Sequence, residues 1–266
     1  MVVDADARLP LTLRRSRMAA ITHERGHVRV EDLAAQFAVS EVTVRSDLAA
    51  LERQAKVRRV RGGAVPIELP LGERPFEEML GANAEAKQQI GIAAAQLITS
   101  GETVLLDVGT TTAAVARALV ARPELTEVTV FTNGLRIAME LESAIPRFTV
   151  VVTGGTLRPL QHSLVDPLSD TVLDRIRADT VVLGCNGVDL AAGVTNINLP
   201  EAAVKRHMCR AARRRVVVAD GGKLGRVSLS PLCGIDEVDV LITSGSADPR
   251  VVEQFRAAGI HVEVAM

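Results

Sequence analysis

With 266 residues, 47% hydrophobic and 24% charged, the chain is long enough for two domains and apolar enough for a sizeable core, which excludes a disordered or fibrous protein. No apolar run approaches the roughly 20 residues that span a bilayer, and the opening Met1-Val2-Val3-Asp4 has no basic segment ahead of an apolar one. A cytoplasmic protein with no membrane partner is expected. The net charge of −1 divides unevenly: residues 1–65 hold 12 basic and 8 acidic side chains, a balance of +4, leaving −5 on the remainder. Only the head is therefore suited to a polyanion.

The head reads as three helices and a hairpin. A helix from Leu11 to Arg25 stops near Gly26. Val28 and Val30 alternate briefly, and a second helix carries Leu33, Ala34 and Phe37 on one face. Ser40 ends a short turn as the cap of a third helix, in which Val44, Leu48 and Leu51 form the buried stripe. The opposite face presents Thr43, Arg45 and Ser46, with Glu41 and Val42 near the tip. Arg58, Arg59 and Arg61, followed by Gly62-Gly63, mark a basic hairpin. A short helix, a tight turn and a helix with an exposed polar tip suit the major groove of double-stranded DNA. Arg45 is fitted to a guanine edge, Thr43 and Ser46 to bases or phosphate, Val42 to a thymine methyl, and the hairpin arginines to backbone phosphates. A protein-docking module with a solvated basic face is the alternative reading of the same pattern. The aromatics, 2% and all Phe, argue against single-strand binding by base stacking.

Residues 66–83, with Pro66, Pro70, Gly72, Pro75 and Gly81, lack periodicity and are expected as a linker between a DNA-binding domain over 1–65 and a second domain over 84–266. In that second domain, apolar runs at 103–107, 128–131, 148–152, 180–183, 216–219, 238–242 and 261–264 are expected as strands. Helical patterns fall at about 84–99, 112–121, 134–143, 164–176, 200–212 and 249–258. The alternation predicts an α/β fold with a mostly parallel sheet covered on both faces.

The strand ends carry polar turns. Asp107-Val108-Gly109-Thr110-Thr111-Thr112 closes one strand and opens a helix, whose free N–H groups attract phosphate while Asp107 is available to a sugar hydroxyl. It is not a nucleotide P-loop, because the Gly-x4-Gly-Lys spacing is absent. Asn133, Gly154-Gly155 and Asp189 each follow a strand, and so does Lys223, which can pair with phosphate. The carboxyl rim of the sheet is thus the expected ligand site. Taken singly, Asn133 can merely cap a helix, the glycine pair can be an ordinary turn, and Lys223 an exposed turn lysine.

The literal strings Val30-Glu-Asp-Leu-Ala-Ala-Gln-Phe-Ala-Val-Ser, Thr43-Val-Arg-Ser-Asp-Leu-Ala-Ala-Leu-Glu and Arg58-Arg-Val-Arg-Gly-Gly-Ala resemble the DeoR family of bacterial transcriptional regulators of sugar metabolism. The polar turns of the second domain and Glu201-Ala-Ala-Val-Lys205-Arg-His-Met resemble the same family, so the likeness covers nearly the whole chain. It implies an N-terminal winged helix-turn-helix and a sensor domain similar in fold to ribose-5-phosphate isomerase. It also implies a phosphorylated sugar or related metabolite as effector. The chain departs from the family at Ser46, where a second basic residue is usual, at Gln54-Ala55, where a glycine is usual, and at Asp166, where glycine is common.

A repressor of carbohydrate genes, released from operator DNA by a sugar phosphate, is the expected function. The competing reading is a sugar-phosphate isomerase or deaminase with an accessory head, because Asp107, Asp189, Glu201 and Lys223 offer carboxylates and an amine. Those groups are scattered, His23, His27, His162, His207 and His261 form no cluster, and no Gly-x-Ser-x-Gly elbow occurs, so no catalysis is expected. Cys185, Cys209 and Cys233 are expected as reduced core thiols, with no metal or cofactor. One winged helix reads only a half-site, so a homodimer or homotetramer held by the α/β half is expected.

Overall fold

The computed structural model describes residues 9–25, 27–53, 56–66 and 73–266. Gly26, Gln54, Ala55, Pro70 and Gly72, on which parts of the sequence reading rest, lie outside the described residues. The chain divides into two compact units near residue 70.

The first unit runs α1 (Leu11–Arg25), β1 (Val28–Arg29), α2 (Val30–Phe37), α3 (Glu41–Arg53), β2 (Val57–Val60) and β3 (Gly63–Pro66). Met18, Ile21, Leu33 and Phe37 close a core with Val44, Leu48 and Leu51, the stripe expected on α3. The chain turns out of α2 at Ala38, whose φ is 49°. Ser40 Oγ then accepts the Thr43 N–H at 3.1 Å and caps α3, as its position implies. Asp47 is buried on α3 and accepts from Arg14 Nε at 2.7 Å and Arg15 Nε at 2.8 Å, which fastens α1 to α3. The three strands lie in the order β1-β3-β2, with β2 and β3 antiparallel. Gly63 approaches β1 so closely that a Cβ would sit 2.0 Å from the Val28 carbonyl oxygen.

The second unit begins with α4 (Phe76–Gly81), α5 (Ala84–Gln96), β4 (Thr103–Leu106), α6 (Thr110–Val120), β5 (Val128–Thr132), α7 (Leu135–Leu141), β6 (Phe148–Val152), β7 (Thr156–Arg158) and β8 (Ser163–Val165). It continues through α8 (Leu168–Leu173), β9 (Ala178–Gly184), β10 (Gly187–Asp189), β11 (Gly193–Asn196), α9 (Leu199–Ala211), β12 (Ala212–Val218), β13 (Ser230–Cys233), β14 (Val240–Ser244), α10 (Pro249–Ala257) and β15 (Val262–Ala265). Seven of these strands form a sheet in the order β15-β14-β12-β9-β4-β5-β6, each neighbouring pair parallel. They are the seven apolar runs of the sequence. β9 and β12 start earlier than those runs because Asp179, Arg213, Arg214 and Arg215 interrupt the apolar pattern at their beginnings.

Along each strand the side chains alternate between two cores. Val104, Leu106, Val182 and Val218 pack beneath α5, α6 and α7. Leu105, Val181, Leu183 and Val217 pack beneath α8, α9 and α10. Cys185, Cys209 and Cys233 are buried free thiols, as expected.

Three local expectations differ from the structure. Residues 73–83, expected within an irregular linker, include α4, whose Phe76 is buried and donates its N–H to the Leu160 carbonyl at 2.9 Å. Pro75 and Gly81 bound a single six-residue helix, too short to show a periodic signal. The helix expected over 164–176 is confined to α8, because Ser163–Val165 pair instead with β7. The small antiparallel sheet β10-β11-β13 also had no expectation, since strands of three or four residues leave almost no alternation to read.

The sheet order reverses between its two central strands. From β4 the chain steps outward to β5 and β6, and with β9 it crosses to the other side and continues to β12, β14 and β15. A crevice opens outside the carboxyl ends of strands at such a reversal.

Candidate functional site

Beyond β4 and β9 lies a cavity of about 910 Å³. Its walls come from Gly109–Thr112 at the start of α6, Gly184–Asn186 after β9, Glu201 and Lys205 on α9, and Lys223 and Arg226 after β12. The first intrahelical bond of α6 is Ala113 N–H to Gly109 O at 2.9 Å. The N–H groups of Thr110, Thr111 and Thr112 precede it and are unclaimed by the helix ladder. Gly109 has a φ of 143°, a conformation that favours glycine. Lys223 ends a short turn in which Asp220 accepts the Gly222 N–H at 3.1 Å, and its Nζ lies 3.8 Å from Asp220 Oδ2.

Asp107, at the end of β4, is fully buried behind this wall. Its Oδ2 accepts from Lys205 Nζ at 2.5 Å and from the Gly184 N–H at 3.1 Å, and Lys205 Nζ also donates to Gly184 O at 2.9 Å. One turn earlier on α9, Glu201 is buried and accepts from Ser163 Oγ at 2.6 Å and from Arg158 Nη1. Arg158 in turn holds Glu73 through Nη2 at 2.9 Å.

The structure thus brings together Gly109, Thr110, Thr111, Thr112 and Lys223, with Asp107 behind them. It does not bring the other expected residues to this wall. Asn133 donates to the Leu164 carbonyl at 3.2 Å and ties β5 to β8. Gly155 faces the backbone of Val165 so closely that a Cβ would lie 2.2 Å from its oxygen, and Gly154 lies beside Leu168. The β7–β8 hairpin therefore packs against the turns after β5 and β6. Asp189 spends its carboxylate on the N–H groups of Ala191 and Ala192, at 2.8 and 2.9 Å, inside the β10–β11 turn. Asp166 is exposed and bonds Ser169 Oγ at 3.4 Å, away from the cavity lining. Lys205, Arg158 and Glu73 had no assigned role in the sequence. The spacing of Glu201 and Lys205, four residues apart on one helix, was a usable signal for a shared face. No local signal joins Arg158 to Glu73.

In the first unit, Arg45, Ser46, Arg58, Arg59 and Arg61 are exposed, and Val42 at the tip of α3 is 73% exposed. Thr43 is half-buried, with its hydroxyl 2.9 Å from Ser40 Oγ. Arg45 pairs with Glu41 at 2.6 Å, one turn back on the same helix face. A groove of about 480 Å³ brings Arg45 and Arg61 together with His27 and Arg29, two residues the sequence did not mark. The third helix and the tip of the hairpin so share one concavity, lined by Arg29, Arg45 and Arg61 and also by Glu31 and Glu41, in the arrangement of a winged helix.

Residues 14–69 match the family model described as the DeoR-like helix-turn-helix domain, and residues 82–245 match that of the DeoR C terminal sensor domain. The chain belongs to the DeoR family. The HTH-type transcriptional regulator GlpR of Haloferax volcanii is 34% identical over 249 residues, which cover 94% of this chain and 96% of its own. The HTH-type transcriptional repressor CsqR of Escherichia coli is 31% identical, with 86% of each chain covered. The glycerol-3-phosphate regulon repressor of Escherichia coli is 28% identical, covering 95% of this chain and 98% of its own. Among solved structures, a ribose 5-phosphate isomerase A from Methanocaldococcus jannaschii overlaps 53% of this chain and 55% of its own, at 19% identity and a TM-score of 0.40. This member of the DeoR family is a DNA-binding transcriptional regulator.

Asp107 and Lys205 of the regulator's sensor domain are both perturbed. Complete burial pushes the Asp107 carboxyl up from 3.8 to about 6, against the pull of the Lys205 ammonium. Burial works against the Lys205 charge as well, but the Asp107 and Glu201 carboxylates outweigh it and hold Lys205 above the ordinary lysine range. A carboxyl whose folded value is raised binds its proton more tightly in the folded state. Its contribution is therefore full at low pH and is lost as pH rises toward about 6. Lys205→Met removes the cation bonded to Asp107 and should push that carboxyl higher still. We expect a loss of about 3–5 kcal/mol at neutral pH, with the urea midpoint falling as pH rises from 3.8 through about 6. A midpoint that is flat across that range would contradict the pairing.

Proposed function

We propose that this chain is a repressor whose affinity for operator DNA falls when a phosphorylated sugar or related metabolite occupies the cavity beside β4 and β9. The observation that carries the reading is the convergence of Thr110, Thr111, Thr112 and Lys223 on one cavity at the reversal of the sheet. Unclaimed N–H groups at the start of an 11-residue helix, with its dipole behind them, favour a phosphate group. Lys223 supplies the counter-charge. The polar remainder of the wall, with Asn186, Asn196 and Ser228, suits a hydroxylated carbon chain. The name of one curated relative, a glycerol-3-phosphate regulon repressor, supports the same class of metabolite.

The reading has no catalytic step. Asp107 is committed to Lys205 and Glu201 to Arg158 and Ser163, so neither carboxylate is a free base beside a bound sugar. Steady-state assays on pentose and hexose phosphates should show no turnover; rates of roughly 1–1000 per second would favour an isomerase or deaminase instead.

The protein would act in the cytoplasm, on operator DNA, as a homo-oligomer assembled through its α/β domain, because paired heads are what fit paired half-sites. Footprinting of the promoter beside its own gene, repeated with a panel of sugar phosphates, tests operator and effector together. Sedimentation showing only monomer at micromolar concentration, with and without that DNA, would overturn the assembly. Within the head, Arg45→Ala should weaken the specific site by about 1–3 kcal/mol per protomer. Arg59→Ala should weaken all DNA evenly and reduce the salt dependence by about one ion. Identical specificity profiles for the two variants would remove the division between helix and wing. In the sensor, Lys223→Ala should lower effector affinity on the order of 10- to 100-fold while leaving operator binding intact. Calorimetry with the active sugar phosphate reads this directly, and an unchanged dissociation constant would make Lys223 an ordinary turn lysine.

A further inference from the structure

In sequence, the chain enters the α/β domain from the head through residues 73–81, and this segment is itself part of the cavity wall. Glu73, Arg74 and Met79 line the cavity alongside Glu201 and Lys205. Arg158 on β7 sits between the two carboxylates. Its Nη1 and Nη2 donate to Glu73 Oε1 and Oε2 at 3.3 and 2.9 Å, and Nη1 also donates to Glu201 Oε1. All three side chains are withdrawn from solvent, at 18%, 13% and 6% exposure for Arg158, Glu73 and Glu201.

The same hairpin holds the segment at further points. Phe76 N–H donates to Leu160 O at 2.9 Å, Gln161 Nε2 donates to Arg74 O at 2.6 Å, and a His162 ring nitrogen lies 2.6 Å from Glu77 Oε1. Of these ties, only the Arg158 bridge also grips a residue of α9 that faces the cavity. One guanidinium serves two carboxylates there. Lys205, the cation nearest Glu201 along α9, is committed to Asp107 at 2.5 Å. Arg158, Glu73 and Glu201 by themselves sum to one negative charge, in a poorly solvated place, with Arg74 on the same cavity wall. A phosphate ester entering the cavity adds like charge, and a sugar hydroxyl bonding Glu201 competes for the oxygen that Arg158 and Ser163 share.

We infer that Arg158 is a positioning residue that couples the cavity to the segment leading to the DNA-binding head: it clamps Glu73 to Glu201, and an effector in the cavity loosens that clamp. The inference rests on the function proposed above and adds its route of regulation. A ligand shifts operator affinity only through an element that it and the DNA bias unequally, and the clamp is such an element.

The test uses the full chain and DNA that the wild type selects from a randomised pool, with no metabolite added. Arg158→Met and Glu73→Gln should each weaken that DNA about tenfold, without changing its sequence preference, and should speed amide hydrogen exchange over residues 73–83. The double variant should be no weaker than the worse single one, because both remove one clamp. Glu73→Gln keeps the side chain's shape and guards against simple misfolding of the arginine variant. A merely structural ion pair would lower the urea midpoint and leave operator affinity within twofold of the wild type, and that result overturns the inference. If ribose 5-phosphate, glycerol 3-phosphate and hexose 6-phosphates leave wild-type binding unchanged while both variants weaken it, the coupling stands and the proposed effector class falls. If those phosphates release the wild type while the variants bind and respond as it does, the effector reading stands and the clamp falls.

Discussion

The Lys205–Asp107 pair joins helix α9 to the ends of β4 and β9, and the geometry of the sensor cavity follows from it. Asp107 terminates β4, Gly184 terminates β9, and Lys205 Nζ bonds both, so one ammonium fixes where the two central strands stop relative to a helix on one face of the sheet. Burying two ions is costly, and the Coulombic gain repays that cost only when the remaining donors and acceptors are satisfied. Here the Gly184 N–H adds a second donor to Asp107 Oδ2, while Oδ1 has no hydrogen-bond partner among the described residues. The pair is therefore better understood as a device that sets geometry than as a source of net stability.

With that geometry in place, the cavity divides by charge. The α6 terminus and Lys223 form an anion-seeking wall. Glu201 and Glu73, bridged by Arg158, place carboxylates that accept hydrogen bonds on the other side, with Arg74 and Lys205 among them.

The head solves a different problem. Its core holds a dozen buried apolar side chains among the described residues, and α3 must hold its orientation while presenting a polar face. Asp47 supplies the tether, taking two arginines of α1 on the buried side of α3, which leaves Arg45 and Ser46 exposed on the other. Arg45 meets Glu41 across one turn of exposed helix, where an ion pair is worth little and yields readily to a stronger acceptor.

What the sequence determined by itself was whatever repeats over short distances. The seven strands of the sheet, the buried stripe of α3, the Ser40 cap and the polar turn that starts α6 each follow from residues within a few positions of one another, because backbone period and capping are local constraints. The family resemblance rested on equally local strings, and it pointed to Thr110–Thr112 and Lys223 without showing that they meet. Only tertiary structure decided which strand ends share the crevice. Asn133, Gly154, Gly155 and Asp189 sit at strand ends as regular as that of Asp107, yet they serve packing and turns, because β5 and β6 lie to one side of the reversal and Asp189 closes a turn of a separate small sheet. Lys205 finds Asp107 across 98 positions of chain, and Arg158 finds Glu73 across 85. Pairings of that span leave no periodic trace, since they exist only once the sheet has brought α9, the β7–β8 hairpin and the segment before α4 to the same place.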